Sequence, residues 1–164
     1  MRAATFDVMS AGIGDAYTVW SGVVARLASL ANVETLSAEM HDLFKHEFVF
    51  AGLLDQHIGS PDPRVHKYVN SRTEILHSAT EAVRKAAVIE KLSRHAFTTI
   101  SDARATLVAA VFLLQKNDSS FKQPFRDHIK ALFDLVQALY EAAVKKIYSE
   151  PIDAIKKEIS ETRI

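Results

Sequence analysis

The chain has 164 residues, and its twenty basic and twenty acidic residues cancel. This length fits one domain, and zero net charge excludes a nucleic-acid binder that works through a large basic field. The absence of cysteine excludes a disulfide framework, a thiolate metal site and a cysteine nucleophile.

The longest nearly apolar run is Leu107 to Leu114. It is far short of the ~20 residues that cross a bilayer, so no membrane span is expected. Asp7 and Asp15 break up the N-terminal stretch, which lacks the basic start and unbroken apolar core of a signal peptide. Five glycines and four prolines are few for this length, and Ala, Leu, Lys and Glu are abundant. Low punctuation with strong helix formers predicts an all-α fold: one domain over 1–164, an antiparallel bundle of about five long helices plus a short C-terminal one.

The first helical region spans about 6–30. Gly12 and Gly14 interrupt it early, because glycine is costly inside a helix. Tyr17, Trp20, Val24 and Leu27 then follow helical spacing. The second runs over about 33–57, with Met40, Phe44, Phe48, Ala51 and Leu54 three or four apart on one face. Gly59 stops it. Ser60 then serves as the N-cap of the third helix, with Pro61 in its first turn, where a missing N–H costs nothing. That helix extends over about 62–92 with a thinner stripe: Val65, Val69, Ile75, Ala79, Ala82 and Ala86. The fourth, about 99–114, is the most hydrophobic, which predicts the central, most buried position. The fifth holds its period from Phe125 through Ile129, Leu132, Val136, Leu139 and Ala143 to Ile147. Pro151 is expected to end it by disfavouring helical geometry at Glu150, leaving a short charged helix within a tail at about 150–164.

Chemistry is sought first among the seven histidines. His41 and His46 are five apart, whereas zinc-protease helices need two four apart with a glutamate beside the first. Glu74-Ile75-Leu76-His77 matches one element of a di-iron bundle, but no second copy exists. Asp127 and His128 are adjacent, and neighbours on a helix point about 100° apart, so they cannot orient one another. Gly12 and Gly14 fall in a helical pattern rather than in a phosphate-binding turn. The residues therefore point to no catalytic group, metal or cofactor, and to surface or core-rim histidines. Basic Arg84, Lys85, Lys91, Arg94 and Lys116 are candidates for a surface that meets an acidic protein.

Phe6-Asp7-Val8-Met9-Ser10-Ala11-Gly12, followed by Tyr17 and Ser21, resembles the opening of the helical folded domain of cyclase-associated proteins. Ala38-Glu39-Met40 and Ser60-Pro61 fit the same pattern. Ile100-Ser101-Asp102 is similar to the family's Ser-Glu pair at a helix start. The stretch from Gln115 to Phe121 sits where the family has a turn before an aromatic. Ile13 stands in place of the family's proline. The resemblance covers about 6–148.

The resemblance implies a cytoplasmic, cytoskeletal module that binds cofilin-decorated actin and speeds depolymerisation at filament pointed ends. It implies differential binding without catalysis, and suggests a homodimer. It places partner-binding basic residues at Lys91 and Arg94, then Lys116 and Lys122. The alternative is a helical scaffold that takes a partner helix into a groove, marked by an exposed apolar strip on the third or last helix.

Overall fold

The computed structural model describes residues 15–30, 37–57, 62–86, 93–116 and 123–162. Five α-helices account for nearly all of them: α1 (Asp15–Ser29), α2 (Ala38–His57), α3 (Pro63–Ala86), α4 (Arg94–Lys116) and α5 (Gln123–Thr162). The expected all-helical bundle is what forms. The glycine interruption at Gly12 and Gly14 lies outside the described residues.

Three helix starts carry a side-chain cap. Ser37 accepts from the Met40 N–H at the head of α2, and Ser93 accepts from the Ala96 N–H at the head of α4. Asp62 takes the Arg64 N–H at 2.9 Å before α3. The expected Ser60-Pro61 start lies outside the described residues; among them, Asp62 caps α3 and Pro63 is its first residue, the same chemistry two residues later. Ser93 likewise caps α4, whose first residue, Arg94, lies five residues before the expected Thr99.

Contacts between side chains fix the direction of packing. Tyr17 Oη donates to the Ala51 carbonyl at 2.8 Å, and Trp20 meets Phe50 edge-on, so α1 and α2 run antiparallel. Glu47 faces Arg72 while Phe50 faces Tyr68, which sets α3 antiparallel to α2. Arg126 reaches the Leu114 carbonyl and Phe97 stacks on Tyr140, which sets α5 antiparallel to α4. The principal packing pairs are α3 with α5, α1 with α4, α4 with α5, and α1 with α2.

The core lies where the first half of α5 meets all the others. Ile129, Leu132, Leu135, Val136 and Leu139 are fully buried, as are Trp20, Phe44, Leu76 and Leu107. The most buried stretch is therefore the first half of α5 rather than α4. On α4 one face is buried through Ala96, Ile100, Ala103, Leu107, Ala110 and Leu114, whereas Val108 and Phe112 are exposed. Its high hydrophobicity arises on two faces, of which the bundle covers one. By length and composition, Arg94–Gln115 is apolar enough to cross a bilayer. No unbroken apolar run of that length exists there, because Thr98-Thr99, Ser101-Asp102 and Arg104 divide the helix.

Two assigned faces shift. On α2 the buried positions are Met40, Leu43, Phe44, Glu47, Phe50, Ala51 and Leu54, while Phe48 is 52% exposed. Position 47 lies at the centre of that arc and 48 on its flank, so the polar residue goes inside and the aromatic goes out. On α3 the buried arc is Val69, Arg72, Thr73, Leu76, Thr80 and Val83, and Ile75 is exposed.

Pro151 does not end the last helix. The expected fifth helix and short tail helix form one 40-residue element. Proline removes one N–H and crowds the preceding turn.

Candidate functional site

Among the described residues, polar groups converge at one place inside the bundle. His128 is 0% exposed on α5, between Glu47 of α2 and Thr73 of α3. Its Nε2 lies 2.5 Å from Glu47 Oε1, and its Nδ1 lies 2.9 Å from Thr73 Oγ1. Thr73 Oγ1 also lies 2.9 Å from the Val69 carbonyl, one turn back. Arg72 adds charge from α3, with Nη2 3.6 Å from Glu47 Oε2. That distance is in ion-pair range but longer than a hydrogen bond. Trp20 and Phe50 pack their rings around the imidazole, with centroids at 5.8 and 4.7 Å.

Hydrogen counting restricts the protons. An ionised carboxylate only accepts, so with Glu47 in that form His128 Nε2 is the donor between them. The Thr73 hydroxyl has one hydrogen. Placed on the Val69 carbonyl, it leaves Nδ1 to donate as well; placed on Nδ1, it gives the neutral ring. With Glu47 ionised, Nε2 carries a proton in both arrangements.

Glutamate, histidine and threonine stand in the order of an orienter, a base and a hydroxyl nucleophile. Thr73 is buried and its hydroxyl is engaged on both sides, so the arrangement works as a clamp across three helices. Each ring nitrogen is tied to a different helix, which fixes the rotation of α2 and α3 about α5.

The other histidine candidates lie apart from it. Glu74 and His77 are exposed on α3. His46 Nδ1 donates to the Asp42 carbonyl at 2.7 Å within its own helix. Asp127 is exposed and accepts from Gln123, pointing away from its buried neighbour His128. Among the described residues no group of three or more His, Asp or Glu is placed to hold a metal ion.

An open groove of about 380 Å³ lies between the end of α2 and the start of α3. Its floor is the buried Phe50, Leu54 and Val69, and exposed Leu53 and Tyr68 add apolar surface beside them. Asp62 and Arg64 stand at its polar edge, paired at 2.8 Å. The Asp62 carboxylate holds the exposed Arg64 guanidinium above its ordinary value, by hydrogen bond first and by charge second.

No protein-family model, no curated protein and no solved structure matches this chain.

Two of the basic candidates are the end residues of α4. Arg94 is exposed at the first residue of α4, and Lys116 is the last residue of the same helix. They are separated by about 33 Å at 1.5 Å per residue. Arg84, Lys85 and Arg94 flank the 87–93 connection at one end of the bundle. Lys91 and Lys122 lie outside the described residues, as does the Phe6–Gly12 stretch.

Sequence reasoning missed the clamp. Glu47, Arg72 and Thr73 each interrupt an apolar stripe, and a polar residue at the centre of such an arc is the one available signal. Its partners come from three separate helices, and no local spacing connects them.

Proposed function

We propose that the protein is a helical interaction module that receives an amphipathic helix of a partner protein in the groove between α2 and α3. The observation that carries this reading is the groove itself. Its volume of about 380 Å³ falls among small apolar binding clefts, and its edge offers one cation and one anion to fix orientation. Recognition by a helix laid into an apolar groove needs anchor side chains three or four apart and no catalytic group. The Glu47–His128–Thr73 clamp supports this use, because it holds the two groove-forming helices in register next to Phe50.

The test is a panel of fluorescent amphipathic helical peptides, read by polarisation. Binding by the wild type should weaken at least about tenfold in Leu53→Asp, an exposed site where a charge leaves the core intact. A panel with no binder, or binding unchanged by Leu53→Asp, rejects the groove.

The second proposal is the actin-turnover module. Its support is the resemblance of the Phe6–Gly12 stretch together with the exposed side chain of Arg94. It predicts faster loss of cofilin-decorated actin from pointed ends, reduced in a Lys91→Ala, Arg94→Ala variant whose circular dichroism is unchanged. Disassembly unaffected across a concentration series rejects it.

A further inference from the structure

The last part of α5 runs past the bundle. The head of α4 is level with Tyr140, where Phe97 stacks, and no described residue of α5 beyond Ala143 is buried. At α5's 40 residues, about 60 Å, it is far longer than the 15 to 24 residues of its neighbours. A helical arm in water gains little from packing, and arms of this length are marginal alone.

The arm has an apolar stripe. Ile152, Ile155 and Ile159 are 52%, 56% and 61% exposed. Their spacing of three then four places them within about 60° of one another around the helix, the a, d and a positions of a heptad. Asp153, Lys156, Lys157, Glu158 and Glu161 stand among the remaining positions, with Ala154, Ser160 and Thr162 between them, and Lys157 and Glu161 are 4.0 Å apart. Both signs are present on the arm, so it does not have the excess of basic charge that favours an anionic lipid surface.

We propose that this arm is a self-association surface, on which Ile152, Ile155 and Ile159 pair in parallel and in register with the same residues of a second copy of the chain. The charges select the direction. In a parallel in-register pair all three isoleucines form like layers, and Lys156 and Glu158, at e and g, stay clear of their own counterparts. The antiparallel register that sets Ile155 against Ile159 keeps fewer isoleucine layers. It also brings Lys156 against Lys156 and Glu158 against Glu158, which repel. Area sets the strength. Three isoleucines at about 100 Å² each present on the order of 300 Å² per chain, against roughly 1,200 Å² in total for a stable dimer. The pairing is therefore weak and concentration-dependent.

The chain has no cysteine, so single cysteines report the geometry cleanly. Sedimentation velocity of the full chain should show reversible association as concentration rises. The Ile155→Asp, Ile159→Asp double variant should lower the association constant by about 100-fold with its melting temperature unchanged. Under mild oxidation, Ile155→Cys and Ile159→Cys should each form a symmetric disulfide, faster than a Lys157→Cys control on the outer face. Wild type that stays monomeric at all concentrations overturns the proposal, as does association that the double variant leaves intact. Cross-linking only in a mixture of the two cysteine variants would assign antiparallel pairing and overturn it too. So would monomeric protein that co-sediments with phosphatidylcholine–phosphatidylserine vesicles through the same isoleucines. Because the arm is separate from the α2–α3 groove, Leu53→Asp should leave self-association unchanged.

Discussion

Replacing Glu47 with alanine removes the centre of the clamp. Glu47 is 1% exposed, and its loss leaves the His128 Nε2–H and the 9%-exposed Arg72 buried without the carboxylate they face. Breaking one side of a buried charged pair costs roughly 3–5 kcal/mol, because the partner is left uncompensated in a low dielectric. For a chain of this size each kcal/mol moves the melting temperature by about 2–4 °C, so Glu47→Ala should lower it by about 6–20 °C. Glu47→Gln keeps an acceptor for His128 and loses only the charge, so its cost should be about 1–2 kcal/mol. Removing the three ionisable partners together, as Glu47→Leu, Arg72→Leu and His128→Leu, should cost less than Glu47→Ala alone, since matched apolar replacement is often neutral and the Thr73 hydroxyl keeps the Val69 carbonyl. Thermal and urea unfolding by circular dichroism measure all three variants. A Glu47→Ala penalty below about 1 kcal/mol, or a triple variant worse than it, refutes the reasoning. Nitrogen chemical shifts of His128 should show Nε2 protonated in the wild type.

Gly22 and Gly52 sit inside helices with open space where a Cβ would go, so Gly22→Ala and Gly52→Ala should each stabilise by about 1 kcal/mol in the same assay. Asp62→Ala removes the α3 cap and should cost about 1 kcal/mol, read as a shift in urea midpoint. Ala103 is fully buried on the small-residue face of α4, and Ala103→Leu should cost about 1–3 kcal/mol through overpacking. Pro151→Ala should raise the helical circular dichroism signal and leave the main unfolding transition in place, because the change lies in the arm.

The five long helices, their order and approximate extent follow from periodicity and punctuation within this chain. Trp20, Val24 and Leu27 on α1, and Ile129 to Ala143 on α5, are buried at the positions their spacing predicts. Hydrophobic spacing alone decides these, because an amphipathic stripe has one way to face a core. The tertiary structure decided the remainder. Phe48 and Glu47 are adjacent on α2, and hydrophobicity favours burying the first. Burial of Glu47 is made possible by His128 and Arg72, which lie 81 and 25 residues away in sequence. The groove depends on how α2 meets α3 across their connection, and its Phe50 floor also packs on His128. Pro151 reads locally as a stop, yet the helix continues through it. A polar side chain's place inside or outside is set by its partners, and only the assembled bundle brings those partners within reach.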